Sequence, residues 1–242
     1  MAVSPARLDI EQTIAIAALA AAIELHDVGT PGHNARVADL AVAIARELKL
    51  DKATVRVIGH AGLLHDLGKL GISDSILHKP LPLTAVETRV MERHPGLGLE
   101  VLDHIGGLEQ VKQVVFSHHE RLDGTGYPRH LGADQIPIEV RILAVADSYD
   151  AMISDRPYRA GIGTTSAFEI MREQRGRTLD ADCVDALISV VDKNTTLFLP
   201  PLASLPFFNP DDGDRRTGLA NRRWQGMPER RAADLSAPRT IS

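Results

Sequence analysis

At 242 residues with 44% hydrophobic side chains, the chain can bury one substantial core or two small ones. Its charge argues against a duplex-binding surface: the net is −5, with 20 basic against 27 acidic residues before residue 209 and 7 against 5 from there on. A single cysteine, Cys183, rules out a disulfide framework and a thiolate metal site, and points to a reducing cytoplasm.

Aromatic residues are only 4% while Ala, Leu, Ile and Val dominate, a balance that suits packed helices better than a β-sandwich, so the fold class expected is all-α. The longest apolar run, Ile14 to Ile23, has ten residues, about half of the roughly 20 that span a bilayer, and reads as a core helix with no transmembrane segment. The N-terminus lacks a charged n-region, an apolar h-region and a cleavage signal, so no export signal is expected.

In chain order, Asp9 is placed to cap a first helix reaching about Glu24, apolar all round and therefore expected to be buried on most sides. The glycines and proline of His26 to Gly32 make a loop. A second helix follows from about His33 to Leu48, with Val37, Leu40, Ala41, Ile44, Ala45 and Leu48 as its apolar stripe. Asp51 caps a third, which carries His65 and Asp66 at its C-terminal end before Gly68 and Gly71 break it. After a proline-rich link, Thr84 and Glu87 have capping-box spacing for a helix to His94, and Pro95 starts the next. Further helices are expected over Leu108–His119, Ile138–Met152 with Asp147 one turn from its end, Thr165–Arg172 and Asp182–Val191. The pattern contains no convincing sheet. The domain is expected over residues 9–194, with residues 195–242 a Pro/Arg-rich, disordered tail.

Seven residues stand out at helix ends and first turns: His33, His65, Asp66, His94, His118, His119 and Asp147. Five imidazoles and two carboxylates suit a mixed nitrogen and oxygen metal site, with iron or manganese favoured, zinc allowed and the oxygen-loving alkaline earths disfavoured. His26, His60, His78, His104 and His130 read as structural histidines, with His60 the nearest of them to His65 in sequence.

The ordered set H-D-x-G-K (His65 to Lys69), His94-Pro95, HHERLDGTGYP (His118 to Pro128), AVAD (Ala144 to Asp147) and SDRPYR (Ser154 to Arg159) resembles the HD-GYP family of HD phosphohydrolases. The likeness runs from about residue 15 to 192. It implies an HD-superfamily helical domain with HD-GYP-type C-terminal helices, acting as a metal-dependent phosphodiesterase that hydrolyses cyclic di-GMP to linear pGpG, GMP or both. By that resemblance one divalent ion takes His33, His65 and Asp147, a second takes His94, His118 and His119, Asp66 bridges them, and a metal-bridging hydroxide attacks phosphorus. Lys69 is then placed to hold the phosphate or the hydroxide, Gly126, Tyr127 and Pro128 to shape the substrate cleft with Tyr127 packing on a guanine, and Arg156 and Arg159 to contact phosphate. Asp150, three residues after Asp147, is expected to orient a ligand or border the metals. Some family members hold a third metal through a glutamate four residues before the first histidine; here that position is Gly29, so two metals are expected. The alternatives are an HD-type hydrolase of another nucleotide and a non-catalytic cyclic di-GMP-binding sensor module. The reading admits a homodimer and a separate sensor or signalling-protein partner.

Overall fold

The computed structural model describes residues 5–27, 30–155 and 160–193, with side chains from residue 12 onward. Among them the secondary structure is helical: α1 Pro5–His26, α2 His33–Glu47, α3 Lys52–Leu64, α4 Asp74–Leu77, α5 Ala85–Met91, α6 His94–Leu102, α7 Glu109–Ser117, α8 Ile138–Ile153, α9 Thr164–Gln174 and α10 Ala181–Lys193. Two 3-10 helices, Leu67–Gly71 and Ala133–Gln135, interrupt the loops, and the only β-type pairings among these residues are two isolated bridges. Gly29, Arg156, Arg159 and the tail expected from residue 195 lie outside the described residues.

The core forms around α2, which packs on α3, α8 and α10. Val37, Ala38, Ala41, Ile44 and Ala45 are fully buried on α2, as are Ile58 and Leu64 on α3 and Ile142, Leu143 and Val145 on α8. The small residues allow close helix contact. A Cβ added to Gly62 would lie 2.6 Å from the Ala38 Cα, so α2 and α3 touch backbone to backbone and the helix that begins at His33 lies against the one that ends beside His65.

Local chemistry accounts for several boundaries. The Asp51 carboxylate accepts from the backbone N–H groups of Ala53 (2.9 Å) and Thr54 (3.1 Å) and opens α3. Thr84 and Glu87 form the expected capping box of α5, which ends at Met91, so that His94 opens α6 with Pro95 in its first turn. Asp147 stands six residues before the end of α8 rather than one turn from it.

The first helix departs from expectation. It begins at Pro5, which puts Asp9 inside the helix instead of at its cap. It packs against α3 and the Leu67–Gly71 turn on one side only, so Ile16 and Ile23 are buried while Ile14 and Leu25 face outward, 64% and 81% exposed. An apolar run without a polar face does not say which side a neighbour will cover. No helix among the described residues is long and apolar enough to cross a membrane.

His60, on α3, is pushed down to about 4 by burial and by the charge of Arg56. Because its folded-state value lies below the ordinary 6.5, the unfolded chain takes the proton first, and this group's contribution to stability is lost as pH falls from 6.5 towards 4. In chelator-treated protein, the Tm gap between pH 7 and pH 5 is expected to be roughly 5 °C smaller for His60→Gln than for the parent in calorimetric scans; an equal gap would show that His60 titrates normally.

Candidate metal centre

Helix ends, together with Asp147 from within α8, bring the seven residues singled out in the sequence together. His33 is the first residue of α2, His65 and Asp66 follow α3, His94 opens α6, His118 and His119 follow α7, and Asp147 comes from α8. His33, His65, Asp66, His94, His118 and Asp147 are all buried. The glycine of H-D-x-G-K makes this convergence possible: a Cβ on Gly68 would lie 1.8 Å from the His94 carbonyl oxygen, so only glycine lets α6 settle against this turn.

Two groups of three side chains have ligand-type atoms within mutual reach of one ion: His33, His65 and Asp66, and His94, His118 and His119. The Asp66 carboxylate spans both. Its Oδ2 faces His33 Nε2 (3.7 Å) and His65 Nε2 (3.4 Å), and its Oδ1 faces His94 Nε2 (3.6 Å). Asp147 Oδ1 stands 3.4 Å from His33 Nε2 and 3.9 Å from His65 Nε2, beside the first group.

The histidines are oriented from behind. Nδ1 of His65, His94 and His118 each donates to the carbonyl three residues back, Gly62 (2.8 Å), Met91 (2.7 Å) and Val115 (2.6 Å). A carbonyl can only accept, so each Nδ1 carries a proton and each Nε2 faces inward. Burial, reinforced by neighbouring histidines, holds His118 well below its usual range; burial also lowers His94, against the pull of Asp66. The two neutral rings therefore point lone pairs at each other across 3.3 Å, and His65 Nε2 is buried with no hydrogen-bond partner. Such an arrangement fits a cation and is unfavourable without one. His33 differs: burial lowers it, but bonds to Asp147 and Asp150 and the charges of Asp147 and Asp66 outweigh burial and raise it to about 9. Despite burial, Asp66 and Asp147 stay well below the usual carboxylate range, held there by the surrounding cations and histidines.

A cleft of about 780 Å³ opens onto both groups, lined by His33, Asp66, His94, His119 and Asp147 together with Lys69, Arg121 and Tyr127. Lys69 Nζ donates to Asp66 Oδ2 (2.7 Å) and lies 3.4 Å from Asp27 Oδ2. Burial alone would lower this ammonium, but Asp66 and Asp27 raise it, so it stays charged. The Tyr127 ring stacks on His119 at 4.7 Å, which occupies part of the surface expected to pack on a guanine. A Cβ on Gly126 would meet Glu120 Cα and the His119 carbonyl at 2.5 Å, so this glycine shapes the cleft by close backbone approach. Pro128 follows a cis peptide bond. The loop is fastened underneath by the buried Glu120, whose carboxylate accepts from the backbone N–H groups of Arg129 (2.7 Å) and Leu131 (2.9 Å). His78, read as structural, also lines the cleft, whereas His60 does not.

A family model described as HD domain matches residues 17–183. Over 174 residues the chain is 45% identical to the cyclic di-GMP phosphodiesterase response regulator RpfG of Xanthomonas campestris pv. campestris, covering 70% of this chain and 46% of that protein. The chain belongs to the HD-GYP branch of the HD-domain family. It is also 39% identical over 158 residues to the 3'3'-cGAMP-specific phosphodiesterase 3 of Vibrio cholerae, covering 65% of this chain and 34% of the other. Among solved structures, the HDG"Y"P protein Bd1817 of Bdellovibrio bacteriovorus shares the fold with a TM-score of 0.55 at 18% identity, over 66% of this chain and 51% of that one. The chain thus spans about half or less of the length of these curated relatives.

Asp150, expected to orient a ligand or border the metals, holds the His33 ring, and what the sequence did not reveal in this HD-GYP site is the arginine behind it. The Asp150 carboxylate, fully buried, accepts from His33 Nδ1 at Oδ2 (2.7 Å) and is gripped on both oxygens by Arg36, with Nε to Oδ1 at 2.7 Å and Nη2 to Oδ2 at 3.0 Å. Arg36 lies one helical turn after His33, so the i, i+3 spacing was visible, but its partner 114 residues away was not. Asp27 was missed in the same way. Removing the guanidinium leaves a buried carboxylate short of its main partner and lets the His33 ring turn. Arg36→Ala is expected to lower the stability of the chelated protein by about 1–3 kcal/mol and to weaken metal binding about 10- to 100-fold in titrations, with Arg36→Lys between the two.

Proposed function

We propose that this chain is a metal-dependent phosphodiesterase that hydrolyses cyclic di-GMP to linear pGpG, GMP or both. The observation that carries the reading is the Asp66 carboxylate, which directs one oxygen at each of two three-membered ligand groups on the wall of a cleft large enough for a dinucleotide. His33, His65 and Asp147 would hold one divalent ion and His94, His118 and His119 the other, with Asp66 bridging and iron or manganese suiting the donor set better than zinc. Two such ions would supply Lewis acidity and an activated water for in-line attack at phosphorus. A count of two rather than three is supported by Asp150, whose oxygens are already engaged by Arg36 and His33.

The chain's own groups do the remaining work in this reading. Lys69, kept charged, neutralises a phosphoryl oxygen beside Asp66 instead of serving as a base. Tyr127 stands in the cleft wall, with Gly126 and Pro128 flanking it in the loop that carries it, and Arg156 and Arg159 are assigned to substrate phosphate by their match to the family pattern alone. Water adds to phosphorus, the bond to the ribose 3' oxygen breaks, and that oxygen leaves with a proton. The buried free thiol of Cys183 accords with work in the cytoplasm.

The relative named for 3'3'-cGAMP makes a mixed cyclic dinucleotide the second reading. Protein purified anaerobically is expected to contain about two metals per chain and to convert cyclic di-GMP to linear dinucleotide or GMP faster than it converts 3'3'-cGAMP. The reverse order would move the assignment to the mixed dinucleotide, and binding without turnover would make the chain a sensor. Asp66→Ala is expected to remove metal loading and to cut hydrolysis more than about 1,000-fold. Tyr127→Ala should raise KM about tenfold with metal content unchanged by elemental analysis.

A further inference from the structure

Three lysine and arginine side chains among the described residues line the cleft, and they are not equivalent. Lys69 is paired with Asp66 and Asp27, and Lys79 with Glu87 at 2.6 Å. Arg121 has no carboxylate within ion-pair distance among the described residues. Its fork is held by neutral acceptors only: Nη1 donates to the Glu120 carbonyl (3.2 Å) and Nη2 to Ser148 Oγ (3.4 Å). Ser148 in turn donates its own proton to the Ala144 carbonyl (2.6 Å), which leaves its lone pairs for the arginine. The backbone beneath is fixed as well, since a Cβ on Gly126 would come within 2.4 Å of the Arg121 nitrogen. A half-buried guanidinium that is aimed, anchored and, among the described residues, without a paired carboxylate is suited to receive an anion.

Its position says which anion. Arg121 follows His119 by two residues and leans on the residue after Asp147, so it stands beside the ligand groups and belongs to neither of them. The reacting phosphate would sit where Asp66, Lys69 and the two ligand groups converge. A cyclic dinucleotide carries a second phosphate across the same ring, and an anion-binding guanidinium beside the centre, in addition to the Arg156 and Arg159 assigned to phosphate by the family pattern, suits that phosphate. We propose that Arg121 binds the non-reacting phosphate of a cyclic dinucleotide and thereby makes the site select substrates with two phosphates. The inference rests on the phosphodiesterase reading and adds the basis of substrate choice.

The test compares wild type, Arg121→Lys and Arg121→Ala on cyclic di-GMP and on bis(p-nitrophenyl) phosphate, a diester with one phosphate, with metal content and Tm measured on the same samples. For Arg121→Ala, KM for cyclic di-GMP is expected to rise about 10- to 100-fold with kcat within about threefold, while kcat/KM for the one-phosphate diester changes less than about threefold. Arg121→Lys, which keeps the charge and loses the fork, should fall between. An equal loss on both substrates, no change on either, or a loss that tracks metal content or Tm would overturn the assignment and leave the phosphodiesterase reading standing. Wild type that cleaves bis(p-nitrophenyl) phosphate but neither binds nor cleaves any cyclic dinucleotide would overturn both.

Discussion

The structure depends on how one buried carboxylate is compensated. Asp66 is 3% exposed and has His33, His65, His94 and Lys69 around it, so its charge is distributed over partners from three separate stretches of chain. An isolated carboxylate at such a depth would take up a proton or open the fold. Here His65 and His94 turn Nε2 inward from rings whose Nδ1 is taken up by a backbone carbonyl, and Lys69 brings positive charge. The cluster is therefore electrostatically incomplete as protein alone, which is the condition under which divalent ions bind tightly and couple their binding to folding.

The orientation of that cluster comes from backbone more than from side-chain networks. Three of the five histidines stand at helix ends or a first turn and are locked by a carbonyl three residues earlier, a bond that the local chain path supplies without any distant partner. The fourth, His33, differs: the carbonyl three residues back, Thr30, accepts from its backbone N–H (3.1 Å), and its Nδ1 turns elsewhere. It relies on Asp150 from α8, and Asp150 relies on Arg36. That long-range relay takes the place of the local carbonyl used by the other three.

Glycine positions decide how closely these pieces approach. Gly62 lets α2 meet α3, Gly68 lets α6 meet the turn after Asp66, and Gly126 lets the cleft loop lie on the backbone of residues 119–121. Each removes a side chain where two backbones touch, so the two ligand groups and the loop that covers them are tied to one rigid frame. In that frame the cations of the cleft divide by partner, Lys69 with the carboxylates of the reacting end and Arg121 with neutral acceptors beside it.

Much of this was legible in the sequence because it is local. The helical class followed from composition, the caps at Asp51 and Thr84 from short-range hydrogen bonding, and the gathering of imidazoles at helix ends from their place in the apolar pattern. The match of the ordered motifs to HD-GYP proteins assigned the same seven residues that the structure brings together. What the sequence left undetermined depends on contacts between remote segments: the one-sided cover of α1, the grip of Arg36 on Asp150, the pairing of Asp27 with Lys69, the burial of Glu120 under the loop, and the lean of Arg121 on Ser148. Residue spacing encodes the periodicity of a helix and the reach of its caps, and these are set within a few residues. Which side chain meets which across more than a hundred positions is decided only when the helices pack, because it is burial that turns a carboxylate or a guanidinium from a solvated surface charge into one that must find a partner.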